Sequence, residues 1–183
     1  MTLLAYPELV ELLEQGVVHH VSPSAVNSSS IDLTLGNKVM VERRPTLPRG
    51  SRIIRLCKRE PLDMVEYDLT LAPLYLEPGQ FILAHTNQVF FLPNNISGEY
   101  KLKSSMARIG LEHLNAGWCD AGWNGSVLTL ELKNMTQHHI IQLNAGDPIG
   151  QMVFFRHTPV PPEYSYDTRG RYNNDTTVKG IKS

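Results

Sequence analysis

Cysteine is nearly missing from this 183-residue chain. Cys57 and Cys119 are the only two, too few for a disulfide framework and without the paired spacing of a structural zinc site. A reducing compartment, the cytoplasm, is therefore the expected location. An excess of either charge is missing as well: Lys and Arg total 17 against 18 Asp and Glu, a formal charge of −1. No overall basic field draws such a chain onto nucleic acid, and a charged ligand needs a local site. Long apolar runs are absent too. No stretch of about 18 apolar residues occurs, and Glu8, Glu11 and Glu14 interrupt the apolar residues near the start. A soluble protein with neither a membrane span nor a signal peptide is expected.

What is present is β grammar. Pro7 to Gln15 sets Leu9, Val10, Leu12 and Leu13 among acidic residues at helical spacing, with Pro7 suited to a first turn and Gly16 to a stop. After that single short helix, runs of Val, Ile, Leu and Phe alternate with turn-forming Pro, Gly and Asn, the pattern of an all-β barrel or sandwich. Strands are predicted at Ile31 to Leu35, Lys38 to Glu42, Ile53 to Leu56, Gln80 to Thr86, Val89 to Leu92, Ser97 to Leu102, Val127 to Leu132, Ile140 to Leu143 and Gly150 to Phe155. Leu76 to Gln80 and Leu143 to Ile149 share one form, an apolar residue followed by Pro-Gly or Ala-Gly and then a strand, and suggest pseudo-repeated hairpins. Arg43 to Tyr75 mixes charge, proline and scattered apolar residues, and is expected to be an insertion over one end of the barrel. One domain over residues 1–158 is expected. The segment 159–183, rich in Pro, Tyr, Asn and Gly without an apolar period, is expected to be a tail that is mobile alone and orders on a ligand.

The chemistry concentrates between Lys101 and Asn134. Lys103, Ser104, Ser105 and Arg108 place two cations and two hydroxyls within six residues, a cradle suited to phosphate; the same run also reads as a solvated turn with Ser104 or Ser105 capping a helix. Ala116 to Gly125 holds three glycines, two tryptophans and one Asp in ten residues. Such a loop binds something flat, or else forms a tight hairpin in which one tryptophan plugs the barrel mouth and Asp120 bonds to backbone. In Val127 to Leu132, strand alternation puts Glu131 on the face of Val127 and Thr129, opposite Leu128, Leu130 and Leu132. If the leucine face is core, Glu131 is exposed. If the Thr129 face lines a pocket at a subunit boundary, Glu131 is a partly desolvated carboxylate suited to moving protons near neutral pH.

These segments resemble a known family, the dCTP deaminases and the related trimeric dUTPases. Ser30-Ile31-Asp32-Leu33-Thr34-Leu35-Gly36 is similar to the family's early strand motif. Ala116-Gly117-Trp118-Cys119-Asp120-Ala121-Gly122-Trp123-Asn124-Gly125 is similar to its Ala-Gly-aromatic-X-Asp-Ala/Pro-Gly-aromatic-X-Gly signature. The resemblance covers most of the chain and implies a distorted dUTPase-like β-barrel, assembled as a homotrimer with active sites at the subunit interfaces. It implies dCTP as substrate, with dUTP as a further substrate and dTTP as an inhibitor left open. The reaction it implies is attack of water on C4 of cytosine, releasing ammonia and leaving uracil, in the supply of dTTP precursors. Glu131 aligns with the catalytic glutamate, and Ser104 and Arg108 with residues that position it and the water. The backbone carbonyl near Ala116 helps orient that water, and Asp120 accepts a hydrogen bond from the deoxyribose 3′-hydroxyl. Lys103 and Ser105 face the triphosphate, as do Tyr164 and Arg171 when the tail closes. Mg²⁺ is expected to bind through the phosphates and solvent rather than a protein cage.

Zinc is not expected. Zinc deaminases use His-X-Glu and Pro-Cys-X-X-Cys; none of the seven histidines here begins a His-X-Glu, and the two cysteines lie far apart. His138-His139 reads as an exposed pair. The sequence departs from the family pattern in three ways. Lys103 stands where Arg is common, losing the bidentate fork. Asp175 falls where a tail glutamine often meets phosphate, and its charge repels phosphate unless Mg²⁺ or Lys179 intervenes. The interval from Asp120 to Glu131 is one residue longer than usual. Release of dUTP and ammonia is the expected outcome. The alternative is a bifunctional enzyme giving dUMP and pyrophosphate, favoured by the Trp118 and Ala121 loop. A plain dUTPase is disfavoured by Trp123 in place of tyrosine and by a tail without a Gly-rich, Phe-containing arm. A catalytically silent regulator is disfavoured by the presence of Ser104, Arg108 and Glu131.

Overall fold

A computed structural model describes residues 1–43 and 53–182. In chain order its strands are β1 (Thr2–Leu3), β2 (Val18–His19), β3 (Ile31–Thr34), β4 (Lys38–Glu42), β5 (Met64–Asp68), β6 (Leu74–Leu76), β7 (Phe81–Phe91), β8 (Ile96–Leu102), β9 (Leu111–Glu112), β10 (Trp118–Cys119), β11 (Asn124–Asn134), β12 (Ile141–Leu143) and β13 (Pro148–Arg156). The helices are short: α1 (Tyr6–Glu14), α2 (Ser104–Arg108) and α3 (Tyr166–Arg169). Among the described residues no helix is long and apolar enough to cross a membrane.

Two antiparallel sheets form the distorted barrel. One runs β1-β13-β8-β10, with β3 also paired to β13; the other runs β5-β4-β7-β11-β9, with β2 also paired to β7. Period-2 alternation turns Ile31, Leu33, Val39, Ile82, Ala84, Leu130, Leu132, Met152 and Phe154 into the shared core. Helix α1 adds Leu9 and Leu12 to it, and the Glu8 carboxylate accepts the Ala5 N–H at 3.1 Å to close its first turn. The pseudo-repeat is a pairing in space: β6 and β12 lie antiparallel, Leu76 against Ile141, and each leads through its glycine turn into a long strand, β7 or β13.

Three predicted elements come out differently. The strands expected at Gln80 to Thr86 and Val89 to Leu92 are one strand, β7, because polar Gln88 does not break it. Its buried amide is satisfied by the Thr34 N–H at 3.0 Å and the His20 carbonyl at 3.1 Å. Ile53 to Leu56 is not a strand. Ile53, Ile54 and Leu56 are exposed and lead into a 3₁₀ turn at Leu56–Lys58, and no strand among the described residues pairs with them. Within the expected insertion, residues 44–52 lie outside the described part, but Met64–Asp68 forms an unpredicted edge strand zipped to β4. Lys38 bridges Asp68 at 2.9 Å and Glu66 at 3.4 Å there, and the Asp68 carboxyl, held by Thr70 and Lys38, sits at about 2.

Candidate active site

Strand β11 carries the central residue. Leu130 and Leu132 are buried in the core on one face, yet the other face does not open to solvent. A register shift between Val127 and Thr129, opposite β7, turns Val127, Leu128, Thr129 and Glu131 all into the lining of a cavity of about 490 Å³, a size ordinary for a small-molecule site. The two readings of Glu131 were thus not exclusive. The leucine face is core and the Thr129 face is roofed. Burial holds the Glu131 carboxyl up at about 7, partly offset by its own backbone N–H. A group poised there accepts and returns protons near neutrality.

The Ala116 to Gly125 loop forms one wall, contributing Ala116, Trp118, Cys119, Asp120 and Trp123. Each tryptophan has a different duty. Trp123 is the plug: it is buried, stacks on Phe90 at 5.4 Å and sends its Nε1–H to the Tyr172 carbonyl at 2.8 Å. Trp118 is half exposed, stacks on Phe155 at 6.0 Å and donates Nε1–H to Asp120 Oδ1 at 3.0 Å. Asp120 is therefore fixed by an indole rather than by backbone. Cys119 is buried among apolar groups, which pushes its thiol well above the usual range and makes it inert.

The tail is seated on β11. Ser126 Oγ donates to the Tyr172 carbonyl (2.8 Å), the Val127 N–H to the Asp175 carbonyl (2.8 Å), and the Asn174 N–H to the Asn124 carbonyl (3.0 Å). These anchors are polar and backbone bonds, which is why a search for apolar period predicts mobility instead. Tyr166, Tyr172, Asp175, Lys179 and Ile181 of this tail line the cavity, whereas Tyr164 and Arg171 do not. Tyr164 is exposed beneath Arg169, whose guanidinium lies 4.7 Å from the ring centre. Asp175 is buried and paired at 2.7 Å with Lys182, not Lys179. Sequence reasoning missed Tyr166 and Tyr172. The available signal was the recurrence of tyrosine at 164, 166 and 172 among small polar residues.

Seating the tail depends on two glycines in left-handed conformations, Gly122 (φ +87°) and Gly125 (φ +65°). A Cβ on Gly122 would lie 2.1 Å from Ser165 Oγ, and one on Gly125 would lie 2.5 Å from Asn174 Oδ1. Gly122→Ala is expected to dislodge the tail and speed tryptic cleavage at Arg169 or Arg171 on the order of tenfold. A cleavage rate equal to the parent's would show that this contact does not hold the tail.

The Lys103 to Arg108 cluster is elsewhere. Ser104 to Arg108 is α2, with Lys103 at its N-cap and no side-chain cap bond, so neither serine caps it. Ser104, Ser105 and Arg108 are exposed. None of the cluster lines the Glu131 cavity; Arg108 borders a second concavity with Thr136 and the stretch from His139 to Gln142. The Lys103 ammonium is paired with Asp32, whose carboxylate also accepts Asn27 Nδ2–H at 2.7 Å. His138 and His139 are exposed and lie in the loop between β11 and β12 rather than on a strand. A single chain thus gathers Ala116, Asp120 and Glu131 into one cavity and holds Lys103, Ser104, Ser105 and Arg108 apart from it.

With this geometry in hand, comparison with known proteins is specific. Residues 3–157 match the family model described as dCTP deaminase-like. The chain is 37% identical over 151 residues to a protein of Methanospirillum hungatei named "dCTP deaminase, dUMP-forming", covering 81% of this chain and 78% of that one. A protein of the same name from Aquifex aeolicus is 36% identical over 173 residues, covering 92% and 87%. Among solved structures, 2′-deoxycytidine 5′-triphosphate deaminase from Agrobacterium tumefaciens superposes with a TM-score of 0.65 at 24% identity, over 85% of this chain and 48% of that longer one. That superposition shows the shared β fold, and the sequence matches fix the kinship: the chain belongs to the dCTP deaminase-like family.

Proposed function

We propose that the protein is a dUMP-forming dCTP deaminase: one water replaces the C4 amine of dCTP to give dUTP and ammonia, and a second water cleaves the α–β phosphoanhydride of that dUTP to give dUMP and pyrophosphate. The observation that carries this is Glu131, a partly buried carboxylate held near 7 inside a cavity of nucleotide size. The Glu131 carboxylate takes a proton from water as the oxygen bonds to C4 of cytosine and hands it to N3. It then takes the second proton from the new C4 hydroxyl and hands it to the exocyclic amine, the C4–N bond breaks, and ammonia leaves a C4 carbonyl behind. This is hydrolysis of a cyclic amidine C–N bond driven by a side-chain base, without zinc in the scheme. Ala116 offers its carbonyl to the water, and Asp120, steadied by Trp118, accepts the 3′-hydroxyl. Lys103, Ser104, Ser105 and Arg108 reach the same nucleotide from a neighbouring subunit of a homotrimer, because in one chain they lie outside the cavity. Tyr166 and Tyr172 take the part that the sequence suggested for Tyr164 and Arg171.

The sequence favoured release of dUTP. The dUMP-forming alternative fits better, because the relatives from Methanospirillum hungatei and Aquifex aeolicus both carry that name over three quarters or more of their length. The donor set also fits Mg²⁺ carried on the triphosphate. Asp120 and Asp175 are the other carboxylates of the cavity besides Glu131, and Asp175 is committed to Lys182. When bound, the ion would neutralise phosphate charge. Incubation with dCTP is expected to release ammonia and dUMP in equal amounts without accumulation of dUTP. Accumulating dUTP would leave a deaminase alone, and the absence of all products would leave a silent nucleotide binder.

A further inference from the structure

The cavity lining is of two chemical kinds. Asp120, Tyr166, Tyr172, Asp175 and Lys179, from the loop and the tail, supply charge and hydrogen-bonding groups; Met40, Leu62, Met64, Phe81 and Leu83, from β4, β5, β7 and the residues before β5, supply none. Strand register fixes where the apolar lining begins. Glu131 on β11 stands opposite Leu83 on β7, which stands opposite Met40 on β4. One cross-strand row therefore runs from the carboxylate straight onto an apolar floor. The tail, by contrast, bonds along β11 itself at Ser126 to Thr129.

A cytosine nucleotide whose sugar and phosphates lie against the polar groups, with C4 at Glu131, must present the far edge of its ring to that floor. O2 and N3 are acceptors that methionine and leucine leave unsatisfied, at a cost for each. C5 bears only C–H. The edge that complements Met40, Met64 and Leu62 is therefore the C5 edge, and methionine adapts its shape to added bulk. Resting on the deaminase reading above, we propose that this floor receives a substituent on C5, so that 5-alkylcytosine deoxynucleotides, 5-methyl-dCTP foremost, are substrates alongside dCTP. The chemistry balances as before: the water oxygen bonds to C4, the C4–N bond breaks, ammonia departs, and the untouched methyl makes the product a thymine nucleotide.

The test compares 5-methyl-dCTP with dCTP on the intact protein. The expected result is kcat/KM for the methylated substrate within about tenfold of that for dCTP, since an apolar pocket discriminates weakly on one methyl group. Binding to the Glu131→Gln protein, measured calorimetrically and free of any electronic effect of the methyl on the rate, is expected to be as tight as dCTP or up to about tenfold tighter. Met64→Trp, which adds bulk to the apolar lining from edge strand β5, is expected to lower the ratio of the two kcat/KM values at least about tenfold. Turnover of dCTP with 5-methyl-dCTP bound more than about tenfold weaker would overturn this inference alone. Failure to turn over either nucleotide would overturn the deaminase reading and this inference with it.

Discussion

Replacing Glu131 by Gln is expected to lower the rate of ammonia release from dCTP at least about a thousandfold, the range of a lost general acid–base, while dCTP affinity changes no more than about threefold. The amide keeps the size of the side chain and its place in the row with Leu83 and Met40, but it neither takes a proton from water nor passes one to the leaving amine. Steady-state ammonia assays and calorimetric titration with dCTP separate the two effects. Turnover within tenfold of the parent would place the proton shuttle on another residue.

The same substitution has a signature in stability. The Glu131 carboxyl is held up at about 7, against an ordinary value of 4.5, because burial penalises its charge. Between those two pH values the folded protein keeps a proton that the unfolded chain has released. Raising pH through this window therefore costs stability, with the full loss, on the order of 3 kcal/mol, reached above pH 7. Glu131→Gln is thus expected to match the parent in stability below pH 4.5 and to exceed it at pH 8. The parent's kcat/KM is expected to rise with pH up to about 7, as the base loses its proton. Parallel denaturation curves at pH 5 and pH 8, with no gain for the variant at the higher pH, would show that the carboxyl is solvated.

Much of this was legible in the residues, and the rest failed for identifiable reasons. Lys38 to Glu42 reads as a strand because apolar residues alternate there, and it is one to the residue. Met64–Asp68 was missed because Glu66 and Asp68 blur the alternation of an edge strand whose partner supplies the compensating Lys38. The chemistry of Glu131 depended on what covers the Thr129 face. No local pattern encodes that, since the roof comes from the loop after Asn115, the tail beyond Ser165, and Pro61 and Leu62. The tail's seating was invisible because Ser126 and Asn124 bind it through polar groups. Asp120 was recognised within its loop, but its tie to Trp118, two residues away, needed coordinates.

The separation of Arg108 from the Glu131 cavity leads to the second large effect. If the protein is the homotrimer proposed above and each site pairs Glu131 of one subunit with Ser104 and Arg108 of the next, two inactive proteins should repair each other. Glu131→Gln and Arg108→Ala are each expected to lack activity alone. In trimers reassembled from an equal mixture, a site is intact when its glutamate comes from an Arg108→Ala chain and its arginine from a Glu131→Gln chain. Random assortment gives that combination about one time in four. Activity is therefore expected to climb from near zero to about a quarter of the parent's, and to appear only after subunits exchange. Separately folded trimers, mixed without exchange, should stay inactive. A site built within one chain has no such route to recovery, because every chain in the mixture lacks one of the two groups. No gain after exchange would mean that Arg108 serves its own chain or none, and would remove the reason for placing this chemistry between subunits.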